Sequence, residues 1–206
     1  MEICLEKIGK KFNTDWIFKN IDFVFPENST TAILGRNGSG KSTLLQIICG
    51  SIFPSSGKIS YRHSGRVLGE QEIFHHLTLV SPYQELIEEF TLKEALEFHF
   101  YFKPILPGYN INKAISILEY EKIANKPIGQ LSTGMKQRIK LILALLSDVP
   151  LILLDEPTMN LDAPGKEWYL NRIDDLEKNR TLVICSNLDQ IESGFAQHKL
   201  KIENYK

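Results

Sequence analysis

Apolar and polar positions alternate along the first part of the chain. Glu2 to Ile8 and Ile21 to Phe25 carry the every-other-residue, β-branched pattern of strands, and Pro26-Glu27-Asn28 predicts a turn after the second. Thr30 to Leu34 is a short strand-type run. Ser42 to Cys49 has helical spacing and meets Gly50, where a helix C-cap belongs. Phe53 to Gly57 predicts a turn, Lys58 to Tyr61 a strand, and Leu77 to Val80 another, ended by Ser81-Pro82. The period then changes. Thr91-Leu92-Lys93-Glu94 has the Thr-x-x-Glu form of a capping box ahead of Ala95, Leu96, Phe98, Phe100 and Phe102, and Lys103-Pro104 stops that helix. Further helices are predicted at Ile111 to Leu118 and Thr133 to Leu146. From Leu151 the chain alternates again: an apolar run, a helix near Ala163 to Leu176, the strand Thr181 to Cys185, and a helix after Ser186. Ile152-Leu153-Leu154 and Leu182-Val183-Ile184 have the unbroken apolar character of parallel strands covered on both faces. The pattern predicts an α/β fold, with a helical subdomain at about 85–146 inserted between core segments 1–84 and 147–206.

Composition narrows the reading. The 206 residues suffice for one domain with a substantial core. With 24 basic and 25 acidic residues the formal net charge is -1, which gives nucleic acid or an anionic membrane no electrostatic handle. Cys4, Cys49 and Cys185 are odd in number and set among apolar neighbours, as buried thiols in a reducing compartment are. Met1 to Lys11 does not resemble a signal peptide, and Leu141 to Leu154, the most apolar stretch, is interrupted by Ser147, Asp148 and Pro150. A soluble cytoplasmic chain is expected.

Three segments carry chemistry. Gly35 to Ser42 reads Gly-Arg-Asn-Gly-Ser-Gly-Lys-Ser and fits G-x-x-x-x-G-K-[ST] at every fixed position, between a strand and a helix. Its glycines let backbone N–H groups surround phosphate oxygens, Lys41 neutralises the β- and γ-phosphates, and the Ser42 hydroxyl suits Mg²⁺. The helix N-terminus adds partial positive charge. The strand Leu151 to Leu154 delivers two carboxylates, Asp155 and Glu156, at its C-terminal end, where α/β sheets bind ligands. Asp155 suits Mg²⁺, and Glu156 suits polarising an attacking water. Leu131-Ser132-Thr133-Gly134-Met135-Lys136-Gln137-Arg138 places a hydroxyl and a glycine before a helix, either an ordinary N-cap or a second anion site that serves a nucleotide on another subunit.

Through these three segments and their order, the chain resembles the ATP-binding subunit of an ABC transporter over nearly its whole length. Gly35 to Ser42 resembles that family's Walker A, Leu131 to Arg138 its signature, Leu151 to Glu156 its Walker B and Asn160-Leu161-Asp162 its D-loop. The resemblance implies the ABC ATPase fold: a P-loop NTPase core with a mostly parallel sheet, N-terminal antiparallel strands and an inserted helical subdomain. It also implies a head-to-tail dimer, here a homodimer, with two ATP molecules sandwiched between subunits. Gly35, Asn37, Gly38, Gly40, Lys41, Ser42 and Thr43 would cradle one ATP, Ser132 and Gly134 of the partner would approach its γ-phosphate, and Asp162 of the D-loop would also bind nucleotide. Phe12 sits where the family stacks an aromatic on adenine, with Trp16 as competitor. Mg²⁺ would be held through Ser42, Asp155 and Gln84, and Gln84 would link the site to a transmembrane permease subunit, which places the chain on the inner face of the cell membrane.

The chain departs from that family in places. Thr133 replaces the first signature glycine, and the following Met-Lys resembles exporter-type ATPases. Gln84 is preferred to Tyr83 at the glutamine position, because no other glutamine lies between Gln71 and Gln130. Where the family has a histidine contacting the γ-phosphate, this chain has Ser186-Asn187, and no histidine occurs between His99 and His198. Catalytic work is therefore expected of Glu156, Asn187 and Gln84, with hydrolysis slowed. Glu85, Glu88, Glu89, Glu94 and Glu97 against the single Lys93 are either a solvated face or a surface for a basic permease segment. Two rival functions are a soluble ABC-type ATPase of translation or DNA maintenance, and a low-turnover regulatory ATP-binding module.

Overall fold

The computed structural model describes residues 1–69, 71–176, 179–187 and 190–206. It divides into two compact units, one of residues 1–79, 150–156 and 178–206, the other of 80–149 and 157–177. The first unit opens with the hairpin β1 (Glu2–Phe12) and β2 (Asp15–Phe25), then β3 (Thr30–Leu34), α1 (Lys41–Ile48), β4 (Ser56–His63), β5 (Arg66–Leu68) and β6 (Leu77–Val80). The second holds α2 (Leu92–Phe102), α3 (Ile111–Leu118) and α4 (Thr133–Leu145). After β7 (Leu151–Asp155) the chain forms α5 (Ala163–Leu176) in the second unit, then β8 (Thr181–Ser186), α6 (Gln190–Ser193) and β9 (His198–Lys201) in the first.

Two sheets result. One is antiparallel, in the order β2-β1-β4-β5; the other runs β6-β7-β8-β3-β9, with β7, β8, β3 and β9 paired in parallel. Every residue of β3, β7 and β8 is buried, which explains why alternation disappears from their sequences. Helix α1 buries Leu44, Leu45, Ile47 and Ile48 in one core with Ile3, Leu5 and Ile8 of β1 and with Leu153 and Val183 of the parallel sheet. β1 and β2 extend well beyond the predicted segments, since Phe12 and Asp15 still pair at the hairpin end. A register shift between Leu5 and Ile8 bends the ladder. There Lys7 adopts φ 51°, and Asp22 Oδ1 accepts its N–H at 2.8 Å. β5 and β9 are strands that the hydrophobic pattern does not predict, because β5 has only three residues and β9 is short and mostly polar.

In the second unit the capping box forms. Thr91 Oγ1 accepts from Glu94 N at 3.2 Å, and Glu94 Oε2 accepts from Thr91 N at 2.8 Å. Asn110 and Ser132 cap α3 and α4. Half-buried His99 on α2 has Nε2 2.9 Å from Ser147 Oγ, which donates to Leu143 O at 2.7 Å, so the neutral ring carries its proton on Nε2. Desolvation, reinforced by Lys103, lowers the His99 pKa to about 4. Because the folded value lies below the unfolded one, stability is lost as pH falls through about 6.5 towards about 4, by roughly 1–3 kcal/mol given the partial exposure of the ring. His99→Gln is expected to remove that slope. Urea denaturation at neutral and mildly acidic pH checks it, and an equal acid loss in both proteins would contradict the assignment.

Candidate functional site

Strand β3 ends in the loop 35–40, and α1 starts at its end with Gly40 as N-cap. Gly40 sits at φ 105°, and a Cβ there would lie 2.5 Å from Ile17 Cγ2 of β2, so only glycine fits. The chain turns so that Lys41 is 4% exposed, with its ammonium drawn back over the loop. Lys41 Nζ donates to Gly35 O at 2.9 Å, to Arg36 O at 3.1 Å and to Asn187 Oδ1. Asn187 follows β8 directly, and its Nδ2 donates to Glu156 Oε1 at 2.8 Å, which brings Glu156 Oε1 to 3.9 Å from Lys41 Nζ. One carboxamide therefore ties the loop lysine to the carboxylate. Glu156 lies beyond β7 at φ 47°, an unusual conformation for a non-glycine residue, and its N–H is held by Cys185 O at 3.0 Å.

Asp155, at the end of β7, is buried close to the Ser42 side chain. Its Oδ1 has no hydrogen-bond partner among the described residues. Burial raises its pKa above the ordinary carboxylate value and Glu156 adds to the effect, while Ser42 and Lys41 oppose it. A desolvated carboxylate oxygen without a partner, next to a serine hydroxyl, is a donor set that fits a hard cation such as Mg²⁺. No group of three or more His, Cys, Asp or Glu side chains suited to a metal occurs among the described residues, so other oxygens, such as those of a nucleotide, would complete its shell.

The structure thus brings together Gly35, Gly40, Lys41, Ser42, Asp155, Glu156 and Asn187, with Asn37 and Gly38 on the loop and Thr43 in the first turn of α1. Phe12 is half-exposed at the hairpin end, with Lys10 Nζ 5.0 Å from its ring centroid. Trp16, on the same hairpin, packs where a Gly9 Cβ would be and carries Lys11 and Lys19 at 5.6 and 5.0 Å. Gln84, Ser132, Gly134 and Asp162 belong to the second unit. Exposed Gln84 follows a turn in which its N–H reaches Ser81 O, Ser132 Oγ caps α4, and Asp162 Oδ1 accepts from Gly165 N at the start of α5. Sequence reasoning missed Glu203, whose Oε1 accepts the Arg36 N–H at 3.0 Å and so ties the phosphate-type loop to the last turn of the chain. No local signal could reveal a pairing across that separation.

The acidic face is also resolved. Glu88 bonds Lys136 at 2.5 Å, Glu94 closes the capping box and Glu97 pairs with Lys93 at 3.8 Å, which leaves Glu85 and Glu89 without an ion pair among the described residues. Glu85 borders an apolar groove of about 260 Å³, lined by Phe90, Phe98 and Phe102.

The sequence pattern of the ABC transporter family matches residues 18–159, more than half of the chain. The chain is 33% identical over 178 residues to the cytochrome c biogenesis ATP-binding export protein CcmA of Agrobacterium fabrum, covering 84% of this chain and 82% of that protein. It is 30% identical over 219 residues to the sulfate/thiosulfate import ATP-binding protein CysA of Mannheimia succiniciproducens, covering 99% of this chain but 59% of that protein. A dimeric structure of a bacterial ABC transporter cassette superimposes with a TM-score of 0.79 at 26% identity, over 97% of this chain and 94% of that one.

Gly40→Ala is expected to destabilise the protein by roughly 1–3 kcal/mol, through positive φ and the collision with Ile17. At about 2–4 °C per kcal/mol the loss is readable in a thermal melt. Adding Ile17→Ala should recover only the steric part; complete recovery would show that the backbone conformation costs nothing.

Proposed function

Since this chain belongs to the ABC transporter family, we propose that it is the ATP-binding and ATP-hydrolysing subunit of a membrane transporter, working as a head-to-tail homodimer. The observation that carries the reading is the Lys41–Asn187–Glu156 chain of hydrogen bonds beside Asp155. Lys41 and the loop 35–43 bind the polyphosphate, with Phe12 rather than Trp16 against adenine, because Phe12 is the more exposed ring and carries one cation instead of two. Ser42, Asp155 and Gln84 would hold Mg²⁺, which when bound neutralises phosphate charge. Glu156 acts as general base towards the attacking water, and the carboxamide of Asn187 orients it. Ser132, Gly134 and Asp162 serve the partner's nucleotide. Residues 1–84 and 147–206 are read as the catalytic core, and about 85–146 as the helical subdomain.

The Lys136–Glu88 ion pair occupies one of the carboxylates expected to face a basic permease segment. Glu85, which borders the aromatic groove, and the exposed Glu89 remain for that role. Export is favoured by Met135-Lys136 and by the relative named for export, and import by the relative named for import. No helix among the described residues is long and apolar enough to cross a membrane, and the proposed place of the chain is the cytoplasmic face, through the permease. The low-turnover alternative draws on Asn187. A neutral hydrogen bond contributes about 0.5–1.5 kcal/mol against about 1.5–3 for one involving a charge, so the substitution slows hydrolysis by roughly tenfold without abolishing it.

Glu156→Gln is expected to retain ATP and form an ATP-dependent dimer on size exclusion, with turnover down by roughly 10²–10⁴-fold; normal turnover would refute the general-base role. Asn187→His should raise kcat about tenfold and Asn187→Ala lower it, and unchanged rates in both would remove Asn187 from the reaction. Reversing Glu85 and Glu89 to lysine should abolish co-purification of the membrane subunit while leaving the ATPase rate of the isolated chain intact. Retained co-purification would exclude this face.

A further inference from the structure

Two contacts inside the second unit join the start of α4 to the turn 157–160. Gln137, 3% exposed, donates from Nε2 to Pro157 O at 2.9 Å. One turn earlier on the same helix, a Cβ on Gly134 would lie 2.9 Å from Asn160 O. Asn160 presents that carbonyl from φ 65°, a left-handed conformation that asparagine tolerates better than most residues, and the turn is closed by Leu161 N donating to Thr158 O at 3.1 Å. Glycine at 134 is thus required by contact within the chain, whatever ligand lies outside it. The neighbouring Thr133 is exposed and meets no such constraint, which explains why a bulky residue stands there.

The consequence is geometric. Pro157 and Thr158 are buried, while Met159, Asn160 and Asp162 on one side of the contact, and Ser132 and Thr133 on the other, are exposed. The buried clamp sets their spacing, so the two exposed segments behave as one surface. We propose that Gln137 is a positioning residue: through Pro157 it holds the 157–160 turn against Gly134, so that Ser132, Asn160 and Asp162 meet the nucleotide bound by a second copy of the chain in a single fixed arrangement. This rests on the proposed head-to-tail dimer. Gln137 touches neither nucleotide, and its effect falls on the partner's site. Pro157 also follows Glu156 directly in the chain, so the competing possibility is that Gln137 steadies the base of its own site.

Gln137→Leu removes the donor and keeps the volume. It is expected to leave ATP affinity of the single chain within twofold, measured by fluorescent nucleotide titration, and KM for ATP within threefold, while kcat falls at least tenfold. Gln137→Met, which also lacks the donor at similar volume, should reproduce that split if Gln137→Leu does not fold. Mixed dimers of differently tagged copies decide where the effect falls, with whichever of the two variants folds standing in for Gln137→Leu. With Glu156→Gln on one copy and Gln137→Leu on the other, both defects fall on one site and about half the activity should remain. With both substitutions on the same copy, each site carries one defect and activity should be nearly lost. The reverse order, or equal activity in the two arrangements, overturns the inference. If Glu156→Gln alone forms no ATP-dependent dimer, the proposed function fails and this inference with it; a dimer that forms while the mixed arrangements are equal refutes only the role of Gln137.

Discussion

A lysine ammonium with almost no access to solvent has to be surrounded by oxygen atoms, and the first unit is arranged to supply them. Lys41 draws on two loop carbonyls, the Asn187 carboxamide and, at longer range, the Glu156 carboxylate. These acceptors arrive from the ends of β3, β8 and β7, three neighbouring strands that run in parallel. Parallel pairing puts their C-terminal ends at one edge of the sheet. The buried apolar faces of β3, β7 and β8 fix the register that lets one ammonium meet all three. The positive φ of Glu156 and the partnerless Oδ1 of Asp155 are local costs, held in place by that core.

Asn187 gives the site its particular character. A carboxamide has both an acceptor and a donor, so it satisfies lysine and glutamate at once without a charge of its own. A histidine in the same place could bridge them in only one tautomer and would add a titration near neutral pH. The bridging carboxamide therefore keeps one form across the physiological range.

The second unit follows a different logic. Its exposed polar residues are placed by polar contacts rather than by strand ends: the buried bond of Gln137 to Pro157, the Ser132 and Asp162 caps, and the backbone hydrogen bonds of Phe90 and Glu88 with Ile128 and Gly129. Arg138 reinforces the arrangement, lying 5.3 Å from the Tyr120 ring centroid and 4.4 Å from that of Trp168. Side chains that look like surface charge in the sequence are in part structural. Glu88, Glu94 and Glu97 each have an internal partner, which reduces the apparent acidic face to Glu85 and Glu89.

Much of this was legible in the chain alone. The Gly35–Ser42 loop, the paired acids after β7, the capping box at Thr91 and the alternation of strands with helices are all signalled over a few residues, because backbone conformation, capping and face periodicity are local properties. From these come the fold class, the family resemblance and the identity of most candidate site residues. What the sequence left open depends on contacts between distant segments: that Asn187 joins Lys41 to Glu156, that Glu203 closes on Arg36, that Phe12 is the more exposed ring of its hairpin, and that Gly134 but not residue 133 must be glycine. β5 and β9 likewise exist only because longer neighbours offer them hydrogen bonds. Sequence determines which groups are present and the local geometry each prefers. Only packing of the apolar faces decides which of those groups meet, because each meeting depends on a register and an approach set by the whole core.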